Sequence, residues 1–206
     1  MTLPGTERPR TTPLVVLVLL VGAGCSVPGP RAVGGDLDLT GRDVVGEPLA
    51  LEGEWESFPG MQSPEALAVL APARFQVPGT WPYAAGAATY RLRLRLGAPR
   101  AGLALLVAEQ SSASRLFVDG RWVAEAGRVA ERKEDARPGW TESVVPLPPS
   151  ASHTLVLQVS NFHAHEGGPI RAPRLGSEGV LRRQQAKVEA LERALDSACA
   201  RYGLIG

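Results

Sequence analysis

Between Thr89 and Leu96 the chain alternates without a break: Tyr90, Leu92, Leu94 and Leu96 are apolar, and Arg91, Arg93 and Arg95 fall between them. A period of two is that of a β-strand, whose side chains leave alternately from opposite faces. Wound as a helix, the same stretch would scatter three guanidinium groups and four apolar side chains around its circumference. The segment therefore commits the chain to a sheet with one face in a core and a cationic outer face. Other segments agree. Asp36–Thr40 alternates, Pro48–Phe58 carries Leu49, Leu51, Trp55 and Phe58, and Phe75–Val77 runs into the turn signal Pro78-Gly79. Gly102–Val107 is continuously apolar, as expected for a central strand. Asp119-Gly120 between Arg115–Val118 and Trp122–Ala124 predicts a hairpin, because both turn positions favour positive φ. Thr141–Leu147 and Thr154–Ser160 complete the strands. Turn signals about every ten residues predict an all-β antiparallel sandwich over residues 36–176.

The composition fits one such domain with additions at its ends. The chain has 206 residues, 44% of them hydrophobic, which is enough for one core. Its formal net charge of +1 leaves no basic stripe, so nucleic acid is not an expected partner. Two cysteines exclude a disulfide scaffold and a cysteine-rich zinc module.

The first 25 residues predict an export leader. Arg8 and Arg10 precede the apolar run Pro13–Ala23, which is about half as long as a membrane span. Gly22-Ala23-Gly24-Cys25 resembles a lipobox, with Gly22 where leucine is usual. Lipidation at Cys25 would hold the chain at a membrane on the periplasmic or cell-surface side. Simple cleavage nearby is the alternative. Loss of residues 1–24 removes Arg8, Arg10 and Glu7 and leaves no net charge. Residues 26–35 read as a flexible linker.

After Gly176 the period changes. Ser177 is a cap candidate, with Glu178 in the first turn of a helix over 177–203. Leu181, Gln184, Val188, Leu191, Leu195, Ala198 and Tyr202 recur at spacings of three and four, a heptad seam with one polar member. Two readings stand side by side: a short coiled coil, or an amphipathic helix packed on the sandwich.

Candidate chemistry is sparse. No Gly-x-Ser-x-Gly elbow or phosphate loop occurs, and no carboxylate pair is singled out. His163 and His165 could face one side as metal ligands do, but a third ligand is not evident and Gly167-Gly168-Pro169 reads as loop. Neither a metal nor a cofactor is expected. Trp140, after the charged loop Glu131–Gly139, is the aromatic most suited to stack on a sugar ring. Trp55 and Trp81 read as core anchors, and Trp122 follows the hairpin. Asn161 either secures a strand end or, with His163 and His165, contacts a ligand in the following loop.

The order of Val77-Pro78-Gly79-Thr80-Trp81, Ala88–Leu94, Leu116-Phe117-Val118-Asp119-Gly120-Arg121 and Leu157–Phe162 resembles a galactose-binding-like jelly roll. The nearer likeness is to the extracytoplasmic domain of bacterial seven-transmembrane receptors with diverse intracellular signalling modules. It is carried by Gly53, Trp55 and Phe58, by Val159–His163, and by Leu175-Gly176-Ser177-Glu178 entering a helix. More distantly the chain resembles the N-terminal sandwich of glycoside hydrolase family 2. That family's catalytic carboxylates sit on a barrel of roughly 250 residues, for which nothing after residue 176 leaves room. The resemblance thus implies a non-enzymatic sensory or ligand-binding domain. Its helix seam of Leu181, Val188, Leu191 and Leu195 would pass a change to a membrane signalling partner, or pair with itself. The membrane and output regions of that family are missing, which implies a truncated product or a free-standing relative held by lipid. The alternative is a carbohydrate-binding lipoprotein module without a signalling role.

Overall fold

The computed structural model describes residues 29–81 and 85–202, with side chains as far as Ala198. The expected leader with Cys25, the first residues of the expected linker, Tyr83 and the Cys199 side chain lie outside the described residues.

The protein is a jelly-roll β-sandwich with one C-terminal helix. Its first half supplies β1 (Asp36–Asp38), β2 (Leu49–Ala50), β3 (Gly53–Pro59), β4 (Ala73–Val77) and β5 (Gly86–Arg95). The second half supplies β6 (Leu103–Val107), β7 (Ala113–Val118), β8 (Arg121–Ala126), β9 (Ser143–Pro146), β10 (Ser152–Asn161) and β11 (Arg174–Ser177). Helix α1 (Glu178–Tyr202) follows β11 directly. The larger sheet runs β4-β3-β5-β10-β7-β8, with β1 parallel to the end of β5; the smaller runs β2-β11-β6-β9.

The alternation in β5 has the expected result. Tyr90, Leu92 and Leu94 point between the sheets and meet Leu155 and Leu157 of β10, Leu105 of β6 and Leu175 of β11. Trp55 and Trp81 join this core, with the Trp55 indole donating to the Leu51 carbonyl at 2.9 Å and the Trp81 indole to the Tyr90 hydroxyl. Asp119 and Gly120 both take positive φ, 49° and 78°, and turn β7 into β8 as the sequence required.

The outer faces are less simple than alternation implies. Arg91 and Arg93 do not stand free in water. Glu56 of β3, 4% exposed, accepts Arg91 Nε at 2.5 Å and Arg93 Nη1 at 2.8 Å. Arg93 also reaches Asp36 at 3.0 Å. Burial alone would push the Glu56 carboxyl up, but the Arg93 and Arg91 hydrogen bonds outweigh it and hold it below the usual range. The segment after β3 lies over this face, held by Arg91 Nη1 on the Leu67 carbonyl, and Leu67 packs on Phe58 and Val156.

β6 is covered on both faces. Leu103, Leu105 and Val107 enter the core, while Ala104 and Leu106 turn outward under Leu181 of α1. Ser177 ends β11 rather than starting the helix, and the Glu178 amide donates to the Gly102 carbonyl at 2.9 Å. The linker expected over 26–35 does not extend to its end. Ala32 is 3% exposed and its backbone pairs with Glu52 and Glu54 beside Gly53, so the fold begins about four residues earlier than the alternation indicates.

Candidate functional site

The site candidates named from the sequence fall in three separate places. Asn161 ends β10 and is 1% exposed. Its amide donates to the carbonyls of Ala164 and Glu166, both at 2.9 Å, and its oxygen accepts the His163 and Ala164 amides at 3.1 and 2.9 Å. The side chain shapes the 161–166 loop from within. His163 and His165 lie exposed on that loop. Among the described residues no group of three or more His, Cys, Asp or Glu side chains could hold a metal ion.

Trp140 lies elsewhere, and the structure gives it neighbours. Gly127 and Gly139 approach so closely that a Cβ on Gly139 would sit 2.0 Å from the Gly127 nitrogen, and the Gly139 amide donates to the Ser112 carbonyl at 3.3 Å. That crossing closes the charged loop and presents Trp140 at 69% exposure. The indole lines a groove of about 550 Å³ between the sandwich and α1. One wall carries Glu109, Trp140, Glu142 and Arg171; the other carries Gln185, Val188, Glu189 and Glu192 of the helix. The volume lies within the ordinary range of small-molecule sites.

The sandwich wall is firmly built. Arg171 pairs with Glu109 at 2.7 Å. The fully buried Gln110 clamps the Arg171 backbone, donating to its carbonyl at 3.0 Å and accepting its amide at 3.2 Å. The helix is tied down by Gln185 Nε2, which donates to the Glu142 carbonyl at 3.0 Å. Acceptors outnumber donors here. Burial pushes the Glu142 carboxyl above its usual range; Arg171 and Arg174 oppose this, while Glu192 and Glu109 add to it. An indole face beside carboxyl groups rich in acceptor oxygens suits a ligand with an apolar face and several donors.

Leu181, the first member of the seam, is fully buried against the smaller sheet. Val188, Leu191 and Leu195 are 51%, 61% and 56% exposed. The helix is therefore docked at its start and free along the rest of its described length. The packed amphipathic helix of the sequence reading is thus seen at its first turns, where Leu181 meets Ala104 and Leu106. No described helix is long and apolar enough to cross a membrane.

A second cavity of about 490 Å³ lies on the outer face of the larger sheet, over Arg115, Phe117 and Gln158. Arg115 is committed there, paired with Glu125 at 2.7 Å and stacked 4.5 Å above the Trp122 ring. Trp122 is 58% exposed, yet this guanidinium covers one of its faces, which leaves Trp140 the better stacking platform.

No protein-family model matches the chain, and no curated protein matches its sequence. Solved structures give weak likenesses. A beta-glucuronidase of Bacteroides uniformis is 17% identical, with a TM-score of 0.46 over 63% of this chain and 17% of its own. A GH2 beta-galacturonidase of Eisenbergiella tayi is 18% identical, with a TM-score of 0.42 over 66% of this chain and 26% of its own. A beta-glucuronidase of Faecalibacterium prausnitzii is 13% identical, with a TM-score of 0.43 over 63% of this chain and 31% of its own. This chain thus spans less than a third of each of these enzymes. Likeness at this level decides neither family nor activity, and the sandwich rests on its own two sheets.

The residues that surround Trp140 were not found from the sequence. Glu109, Glu142, Arg171 and Gln185 come from four distant segments. No local spacing joins them; only the packing of α1 beside β9 and β11 does.

Proposed function

We propose that this chain is an exported, non-catalytic ligand-binding domain of a bacterial membrane signalling protein. The groove between Trp140 and α1 is its ligand site. One observation carries the reading: the groove is shared between a rigid sandwich and a helix that is fixed only at its first turns. An occupant touches Gln185, Val188, Glu189 and Glu192 on one side and Trp140 and Glu142 on the other. If it fits one helix pose better than another, it shifts the helix toward that pose by its differential affinity. The leader ending at Cys25 supports export and a lipid anchor, and the resemblance to receptor extracytoplasmic domains supports the direction of coupling. A hydroxylated ring is the favoured ligand class, with its apolar face on the indole and its hydroxyls toward the carboxylates.

The test uses residues 26–206 with a panel of glycans, amines and small carboxylates. A ligand selective for the native state raises the melting temperature by mass action. Trp140→Ala should abolish that shift without changing the unliganded melting temperature. Spin labels at the exposed Arg121 and Ala190, in a Cys199→Ala background, then report the helix pose. A distance change on binding supports signalling. Binding lost in Trp140→Ala without a distance change leaves the carbohydrate-binding lipoprotein module and removes the coupling role. No shift across the panel overturns the ligand site.

A further inference from the structure

We infer that α1 pairs with α1 of a second copy as a parallel, in-register, two-stranded coiled coil over residues 187–198. This deepens the proposed function by naming the partner of the helix.

Leu181 is spent on the sandwich, and every residue from Ala186 to Ser197 is exposed. Within that stretch Val188, Leu191 and Leu195 form one apolar stripe, with spacings of three and four, and Ala198 continues it. An unpacked helical stretch of this length, with its apolar stripe in water, is marginal, since helices in proteins draw most of their stability from packing. The stripe suits another helix. Spacing places Val188 and Leu195 at a positions and Leu191 and Ala198 at d positions. A β-branched residue at a with leucine at d, as in the Val188–Leu191 layer, favours two parallel strands.

The flanking charges choose the partner and its direction. Lys187 falls at g and Glu192 at e. In a parallel pair, g of one helix faces e of the next heptad in the other, so Lys187 meets Glu192 twice by symmetry. An antiparallel pair brings e to e, which sets Glu192 against its own copy. The single chain also leaves a local excess of acid for Lys187 of a second copy to offset. Glu192 shares its groove with Glu189 and Glu142, and its charge is among those that disfavour the Glu142 carboxylate. The described helix contains one lysine, and it stands at the position that faces this acid. The seam is short, so pairing depends on concentration; anchoring both copies to one membrane surface would supply it.

Sedimentation equilibrium of residues 26–206 over a wide concentration range tests this. The wild type should dimerise reversibly, and Leu191→Asp with Leu195→Asp should abolish the dimer. Both side chains are exposed, so the melting temperature of that variant should match the monomer's. Lys187→Glu should weaken the dimer roughly tenfold, because two exposed attractions become repulsions. Lys187→Glu combined with Glu192→Lys should restore it. Ala198→Cys in a Cys199→Ser background should oxidise to a disulfide-linked dimer in the parallel register, whereas an antiparallel pair centred on Glu192 would set residue 198 against residue 186. A monomer at all concentrations, a dimer indifferent to the aspartates, or a charge swap that fails to rescue would each overturn the inference. Ligand shifts measured on the monomeric aspartate variant show separately whether the groove binds.

Discussion

Leu181→Ala is the sharpest perturbation of the helix dock. The side chain is fully buried in a small cluster formed by Ala104, Leu106 and Val144 outside the smaller sheet. Truncation of a buried leucine costs about 2–5 kcal/mol, the higher values arising where the cavity cannot collapse. Here the floor is sheet and the roof is a helix fixed at its start but free further on, so the roof can settle. That places the cost near the low end, about 2–3 kcal/mol. At about 2–4 °C per kcal/mol for a domain of this size, the melting temperature should fall by roughly 5–10 °C. The same loss should appear as roughly 30- to 150-fold faster amide exchange in the first turns of α1, at about tenfold per 1.4 kcal/mol, if the helix undocks before the sandwich opens. Leu191→Ala, compared at concentrations that keep the chain monomeric, is the control, because at 61% exposure it should cost no more than about 0.5 kcal/mol. Overlapping melting curves with unchanged exchange in Leu181→Ala, or an equal loss in Leu191→Ala, would refute the docked-then-free helix.

Glu56→Gln should cost about 2–3 kcal/mol, somewhat below the loss on breaking a fully buried pair, because the Arg93 side chain is 36% exposed. The Glu56 carboxyl is lowered in the folded state, so its contribution is present above the unfolded value and lost as pH falls through the folded one. Wild type and variant should converge in acid, and equal differences at pH 7 and pH 2 in denaturant melts would contradict this. Glu142 has the opposite sign: its carboxyl is raised, so the ionised form is penalised above the folded value and relieved as pH falls toward the unfolded one. Glu142→Gln should raise the melting temperature at pH 7–8 and change little near pH 4 by calorimetry. Gly139→Ala forces its Cβ against the Gly127 backbone and should destabilise by about 2 kcal/mol or more. Its tryptophan emission should also shift as Trp140 loses its platform, and an unchanged spectrum with an unchanged melt would show that the crossing is not rigid.

Most strands were legible because each carries its own signal; β11 was not, because the short approach to the helix becomes a strand only by lying between β2 and β6. β5 alternates, β6 is apolar on both faces, and Asp119-Gly120 has only one comfortable backbone conformation. What escaped was anything that depends on who lies across the sheet. Nothing in the spacing of Arg91 and Arg93 announces that Glu56, from a neighbouring strand, will be buried between them. Asn161, His163 and His165 look like a loop-end cluster in one dimension, but the fold turns the Asn161 amide inward and leaves both imidazoles in water. Trp140 was legible as an exposed aromatic; the carboxylates around it were not. The heptad was legible too, yet its first member packs on the sandwich, and the period itself could not tell that contact from a partner helix.

That split in the heptad gives the two proposals a common consequence. Val188 and Glu192 line the groove, and the same two side chains belong to the pairing stripe and its acidic flank. A ligand in the groove and a second helix therefore contend for, or cooperate over, the same surface. Whichever sign holds, linkage makes it reciprocal: the factor by which ligand changes dimer affinity equals the factor by which dimerisation changes ligand affinity. A ligand stacked on Trp140 that draws Glu192 toward its hydroxyls takes that carboxylate from Lys187 of the other copy, and so should weaken the pair. A cationic ligand would replace Lys187 altogether and weaken it further. A neutral ring that leaves Glu192 free would hold α1 in place and strengthen the pair. The helix is anchored over its first two turns, by Leu181 and Gln185, and carries one stripe of exposed apolar surface, and the groove sits between them. Any occupant acts on the balance between the two, because among the described residues no hydrogen bond or ion pair joins α1 beyond Gln185 to the sandwich.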